Sequence, residues 1–223
     1  MKIVNTFSFK GGKKFLIIKH RQELQEVFDA IKELDASLCL TKESAEKTMK
    51  GELLFSPRDM NEYLKLALHK KSWTAKADGK KKTFAEPRHA FGGGRFREMD
   101  GMKNKVGLEI QFGKYAFMGY DIFSKMIIFK NLGYIECGIE VVPAEELAKQ
   151  MSTGVSFFNQ LLVDFENRGE SNIDIPVFVI GIGLTDQEKR KSEALQALFK
   201  NNRKEALVSI KLRKYHGSKP GPK

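Results

Sequence analysis

A chain of 223 residues with 41% hydrophobic and 30% charged side chains can bury a real core, which excludes a disordered polymer. Its length fits one large domain, or one domain with an appendage. A net charge of +11 directs attention to a polyanionic partner, nucleic acid before an anionic membrane surface.

In chain order, Ile3–Phe9 and Phe15–Ile18 flank Lys10-Gly11-Gly12-Lys13-Lys14, which reads as a β-hairpin. The Gly-Gly pair is a turn signal without phosphate-loop context. An amphipathic helix follows over Arg21–Asp35, with Leu24, Val27, Phe28, Ile31 and Leu34 on one face. A second helix should start at Ser56-Pro57, the hydroxyl as cap and the proline in the first helical position, and end near Lys70. Residues 74–99 are polar, glycine-rich and basic, with Lys80-Lys81-Lys82 and Gly92-Gly93-Gly94. They read as a long loop or a set of short irregular pieces.

Beyond it, Val106–Phe112 reads as a strand, Phe117–Lys130 as a mostly buried helix and Tyr134–Val142 as a strand. Ala144–Met151 and Val155–Phe165 read as helices, and Pro176–Gly183 as a fully buried strand. This alternation implies an α/β fold with a central mixed β-sheet flanked by helices. The tail adds a helix over Asp186–Lys200 and a short alternating piece with Val208, Ile210 and Leu212 on one face. Residues 184–223 hold eleven basic and four acidic side chains, a net of +7, and leave only +4 for the rest. We therefore divide the chain into a body, 1–183, and a basic C-terminal extension, 184–223.

Cys39 and Cys137 stand far apart in no metal-ligand spacing, so buried free thiols are expected. The longest apolar stretch, Phe117–Phe129, is broken by Asp121, Ser124 and Lys125. Neither a membrane span nor a secretory leader is expected, and the protein reads as cytoplasmic, with no membrane partner.

The chemistry-bearing segment is Asp100-Gly-Met-Lys-Asn-Lys-Val-Gly-Leu-Glu109-Ile-Gln111. Glu109 and Gln111 lie two apart on a strand and share a face, and a hairpin or bulged pairing would bring Asp100 beside Glu109. Hard oxygens so grouped suit Mg²⁺, with the Ile110 carbonyl as a further ligand. One or two such ions can activate water against a phosphodiester. On spacing alone, an exposed strand edge would explain the same residues.

Glu109-Ile-Gln-Phe-Gly-Lys-Tyr-Ala-Phe117 and Tyr120-Asp-Ile-Phe-Ser-Lys125 resemble the catalytic strand and following helix of BstYI-like type II restriction endonucleases, and more remotely those of BglII and BamHI. Thr41–Thr48, Leu54-Phe-Ser-Pro57, Gly138-Ile-Glu-Val-Val-Pro143 and Met151-Ser-Thr-Gly-Val-Ser156 extend the resemblance, in order, over roughly residues 1–183. It implies a PD-(D/E)xK nuclease core with Asp100, Glu109 and Gln111 as catalytic residues, the two acids and the Ile110 carbonyl binding metal. Gln111 stands where that superfamily usually has lysine. An amide cannot serve as a base, so it would orient the attacking water. The resemblance further implies a homodimer acting on double-stranded DNA with Mg²⁺ within a restriction-modification system. The target would be a palindrome with a central GATC, cut R/GATCY-fashion to leave four-base 5′ overhangs.

Lys114 is expected at a phosphate, and the region Lys149–Phe158 at the bases, with Ser152, Thr153 and Ser156 at base edges and Gly154 letting the backbone approach closely. By local pattern alone, 152–156 is only a helix break with a new N-cap. Glu86 and Glu98 are further metal candidates, though a solvated loop carboxylate is the simpler reading of each. Among the histidines only His89, in the basic loop, is notable. The alternative function is a non-catalytic DNA- or RNA-binding protein using the same basic surfaces. It would have no use for Asp100, Glu109 and Gln111 converging on one point.

Overall fold

The computed structural model describes residues 1–73 and 88–217, with side chains through Arg213. Lys80–Lys82 and Glu86 lie outside the described residues. The centre is a five-stranded sheet in the order β1 (Lys2–Phe9), β9 (Val177–Gly183), β8 (Cys137–Pro143), β7 (Val106–Ile110), β6 (Gly101–Lys103). The inner pairs β9–β8 and β8–β7 are parallel, and the outer pairs β1–β9 and β7–β6 antiparallel. Such a mixed sheet is what the alternating strand and helix pattern implies.

The three inner strands are buried along their whole length because helices cover both faces. Val106, Leu108 and Ile110 of β7, Cys137, Ile139 and Val141 of β8, and Phe178, Ile180 and Ile182 of β9 face one core. That core is closed by α1 (Gly12–Lys19), α2 (Arg21–Glu33) and α3 (Pro57–His69). The opposite face holds Val142, Val177 and Val179 against the helix pair that follows β7 and against α7 (Phe158–Arg168). The connection from β7 to β8 is a nearly continuous helix: α4 (Tyr115–Tyr120), a π-turn (Asp121–Lys125), then α5 (Met126–Asn131).

α3 starts as expected: the Ser56 hydroxyl accepts from the Asp59 amide at 3.2 Å with Pro57 next to it. Three elements differ from the sequence reading. Phe15–Ile18 is not a second hairpin strand but part of α1. Lys10 and Gly11 take φ values of 49° and 71° and turn the chain into a helix. Gly12 lies against the backbone of Val177, and Leu16, one turn on, fills the core. Within 74–99, residues 88–98 form a regular hairpin, β4 (Arg88–Gly92) and β5 (Arg95–Glu98), with Gly92–Gly94 all at positive φ in its turn. The alternating piece around Val208–Leu212 is part of a helix, α9 (Arg203–Gly217). Packing of Ala206 and Ile210 on the core outweighs the period-two pattern, and Val208 and Leu212 stay exposed.

A short helix α6 (Glu145–Ala148) follows β8, and α8 (Asp186–Asn201) follows β9. Leu184, Leu195, Phe199 and Ala206 join the core, and the amino group of Met1 bonds Glu188 at 3.0 Å. The C-terminal helices are thus packed on the core. No described helix is long and apolar enough to cross a membrane, and both cysteines are buried and free.

Candidate active site

The β6–β7 turn sets the first acid. Asn104 and Lys105 both take left-handed conformations, φ 46° and 68°, which matches a two-residue hairpin of the right twist. The resulting register pairs Gly101 with Leu108 and Met102 with Gly107. Continued by one step, it sets Asp100 beside Glu109. The Asp100 carboxylate accepts from the Ile110 amide at 2.8 Å and meets Lys65 Nζ of α3 at 2.7 Å.

Glu109 points to the sheet face covered by α4 and α5, and so does Glu140, its register partner on β8. Two glycines lie on that face, Gly107 and Gly138, and the second lets the helix come close. A Cβ at 138 would stand 2.3 Å from the Met126 sulfur, and one at 107 would stand 2.6 Å from Met99 Cε. The close approach carries Lys125 to 2.9 Å from Glu109 Oε2 and 2.6 Å from Asp121 Oδ1. Asp121 Oδ2 in turn accepts from the Gln111 side-chain amide at 3.1 Å, and the Gln111 carbonyl accepts from the Gly113 amide at 2.8 Å.

Of the expected residues, the structure therefore brings Asp100, Glu109, Ile110 and Gln111 together. Lys65, Asp121, Lys125 and Glu140 join them, none of them singled out as a site residue in the sequence. A signal for two of them existed in the charged interruptions at 121 and 125 of an otherwise apolar helix. A third lay in the single charge of the apolar strand Cys137–Pro143.

The electrostatics are those of charge taken out of water. Burial, then the neighbouring Asp100, raises the Glu109 carboxyl well above its usual range. Burial and the charges of Asp121 and Glu109 do the same to Glu140, which is wholly enclosed. Asp121 is raised chiefly by burial, against the pull of Lys125. Lys125 is held protonated, because its carboxylate neighbours outweigh the burial that would strip its proton.

A divalent ion fits the donor chemistry here. Glu109 Oε1 is buried with no hydrogen-bond partner, and the surrounding donors are hard oxygens. Among the described residues no three His, Cys, Asp or Glu side chains form a ready metal cage. Two carboxylates, a main-chain carbonyl and waters would make the shell, an arrangement Mg²⁺ accepts.

The segment expected to meet DNA is fastened to the chain just beyond β7. Lys114 bridges to Val155, and the amide and hydroxyl of Ser156 both donate to the Gly113 carbonyl at 3.0 Å. Ser156 is buried behind the loop, whereas Thr153 and Gly154 are exposed. Ser152 and Thr153 both donate to Glu46, at 2.5 and 2.8 Å. These bonds hold the Glu46 carboxyl down at about 2. Lys149 stands apart, paired with Glu145 at 2.8 Å. Glu98 is engaged by Arg88 on the β4–β5 hairpin, and His89 Nδ1 lies 3.0 Å from the Tyr134 hydroxyl.

The model of the restriction endonuclease BglII/BglIII family matches residues 4–182. The chain belongs to this family. It is a type II site-specific endonuclease acting on DNA, and enzymes of this kind generally use divalent metal ions. Membership sets aside the reading as a non-catalytic binder. The crystal structure of BglII complexed with a DNA 16-mer is similar with a TM-score of 0.66 and 18% identity, over 83% of this chain and 79% of that one. Free BglII is similar with a TM-score of 0.57 and 16% identity, over 83% of this chain and 81% of that one. At such identities the likeness concerns the fold: the mixed sheet flanked by helices is that of BglII. No curated protein matches the chain in sequence.

Proposed function

We propose that this endonuclease hydrolyses double-stranded DNA with Mg²⁺ as a homodimer of PD-(D/E)xK type within a restriction-modification system. Its target is a palindrome with central GATC, cut R/GATCY-fashion to leave four-base 5′ overhangs. The observation that carries the catalytic part is the buried Glu109 Oε1, unpartnered beside Asp100 at the end of a central strand. Asp100, Glu109 and the Ile110 carbonyl would hold the ion, which when bound supplies Lewis-acid stabilisation of the phosphate and an acidified water.

Within the protein, Gln111 orients the attacking water. Its Oε1 is used once, by the Gly113 amide, and keeps an accepting position. Ser152, Thr153 and Gly154 meet base edges, with the hydroxyls exchanging Glu46 for DNA, while Ser156 holds the loop to Gly113. That tie supports a coupling of base readout to Gln111, two residues before Gly113. Lys114 and Lys149 serve phosphates. Residues 1–183 carry the catalytic fold, and 184–223 form the basic extension laid on it. The target follows from the sequence resemblance, and two-fold symmetry suits a palindrome.

The test is a digest of sequenced plasmid DNA with Mg²⁺, the fragment ends mapped, beside Glu109→Ala and Asp100→Ala. Discrete fragments ending at GATC-centred sites are expected, with both variants inactive yet able to bind DNA. Cutting by Glu109→Ala at the wild-type rate would overturn the site. Ends elsewhere would overturn the specificity.

A further inference from the structure

We infer that Lys125 is a positioning residue for cleavage: a resident ammonium that fixes Glu109 directly and Gln111 through Asp121. This rests on the catalytic reading of Glu109 and Gln111 given above.

The strand itself has no cation to offer. On the face that bears Glu109, β7 carries Gly107 and then Gln111 beyond its end. The cation comes from the helix opposite. Gln111 Nε2, Asp121, Lys125 Nζ and Glu109 form one continuous chain of contacts at 3.1, 2.6 and 2.9 Å. All three charged members are almost closed to solvent, their side chains 15% exposed or less. Each link decides an orientation. Lys125 takes Oε2 of Glu109 and leaves Oε1 unpaired. Asp121 can only accept, so it draws the Nε2 end of the Gln111 amide and turns Oε1 the other way, toward Gly113.

The helix departs from α-geometry at these residues. The Met126 amide reaches back to the Asp121 carbonyl, the five-residue step of a π-turn that starts at Asp121 and ends at Lys125. Such turns are rare and frequent at functional sites. The glycine at 138 then lets the end of this turn, at Met126, sit down on β8. Lys125 thereby touches Glu109 directly and is linked to Gln111 through Asp121.

The test uses Lys125→Met, Lys125→Arg and Asp121→Asn in the full chain, each checked for folding by circular dichroism. Cleavage of prebound DNA is started with Mg²⁺ in single-turnover mode, and DNA affinity is read separately with Ca²⁺. The expected result for Lys125→Met and Asp121→Asn is a 10- to 100-fold slower cleavage step, the range for residues that orient a metal's ligands. DNA affinity should change less than about twofold, and Lys125→Arg should recover part of the rate.

A second readout does not involve cleavage. Calorimetric titration of the DNA-free protein with Ca²⁺ should show Lys125→Met binding about tenfold more tightly, because Glu109 loses its resident counter-ion. If Lys125→Met fails to fold, Lys125→Arg and Asp121→Asn carry the test. Should Glu109→Ala cut normally, the reading of the site has failed and this inference with it. An inactive Glu109→Ala beside folded variants that cleave at the wild-type rate, with unchanged Ca²⁺ affinity, overturns the inference alone.

Discussion

Replacing Glu140 by glutamine should stabilise the protein, and by more at alkaline than at acid pH. Glu140 is wholly buried, both its oxygens lack partners, and the charges around it are Asp121, Glu109 and Asp100 against Lys125 alone. Its carboxyl therefore titrates well above the usual range when folded, and near the ordinary value of 4.5 when unfolded. Between those two pH values the folded state holds a proton that the unfolded state has lost, so stability falls as pH rises through that window. Each pH unit separating the two titrations costs about 1.4 kcal/mol above the window. With a urea slope near 3 kcal/mol/M, one such unit corresponds to about 0.5 M in the unfolding midpoint. Glutamine keeps the shape and cannot ionise. At pH 5, where the native carboxyl is protonated, the variant should match the wild type within about 1 kcal/mol, since each buries an unpaired neutral group. At pH 8 its midpoint should lie higher by at least about 0.5 M. Neighbouring Glu109 shares in the gain, because the two acids titrate as a coupled pair. Urea unfolding of both proteins at pH 5, 6.5 and 8 decides it. A gain independent of pH, or a variant less stable at pH 8, would refute the charge argument.

Gly12→Ala should lower stability by about 3 kcal/mol, or roughly 6–12 °C in Tm, because the new methyl would stand 2.2 Å from the Val177 carbonyl oxygen; a thermal scan checks it. Ser156→Ala should cost about 1 kcal/mol in urea unfolding and leave the sequence preference unchanged, since the hydroxyl holds Gly113 and is buried. Ser152→Ala and Thr153→Ala should instead lose about 1–3 kcal/mol of discrimination between the GATC-centred site and its single-base variants, read by competition binding in Ca²⁺. Lys204→Gln, Lys211→Gln and Arg213→Gln together should flatten the dependence of DNA affinity on salt, by about one slope unit for each phosphate the extension no longer neutralises; an unchanged slope removes the extension from the DNA surface.

The fold was legible where one period dominated. α2, α3 and the buried strands β7, β8 and β9 could be read from spacing because burial imposed a single pattern on each. Phe15–Ile18 misled because four apolar residues in a row carry no period. What makes them helical is the tight seat of Gly12 on β9, a contact between residues 165 apart in sequence. Val208–Leu212 misled in the opposite way. Its alternation is real, but Val208 and Leu212 are exposed, and the burial that fixes α9 comes from Ala206 and Ile210, four residues apart. In 88–98 the glycines read only as loop composition, and the strands beside them are too exposed to show an inside face.

The site was legible only along its own strand. Spacing puts Glu109 and Gln111 on one face and allows Asp100 to join through the hairpin, since all three lie within twelve residues. Lys65, Asp121, Lys125 and Glu140 reach it from other elements, and no local pattern encodes that meeting. Yet an ion buried alone costs several kcal/mol, so Glu140, set in a strand with helices on both sides, must either be answered across the interface or keep its proton to higher pH. Between Phe117 and Phe129 the helix that covers it carries charge only at Asp121 and Lys125, four apart on one side. Glu140 brings one negative charge to the strand face, while the helix pair brings one of each sign. The balance therefore stays negative even after Lys125 is counted, before Glu109 is added. The same shortage of positive charge leaves Glu140 without a partner and gives Glu109 the capacity to take a further cation. Stability and catalysis are set in opposition at one face of the sheet.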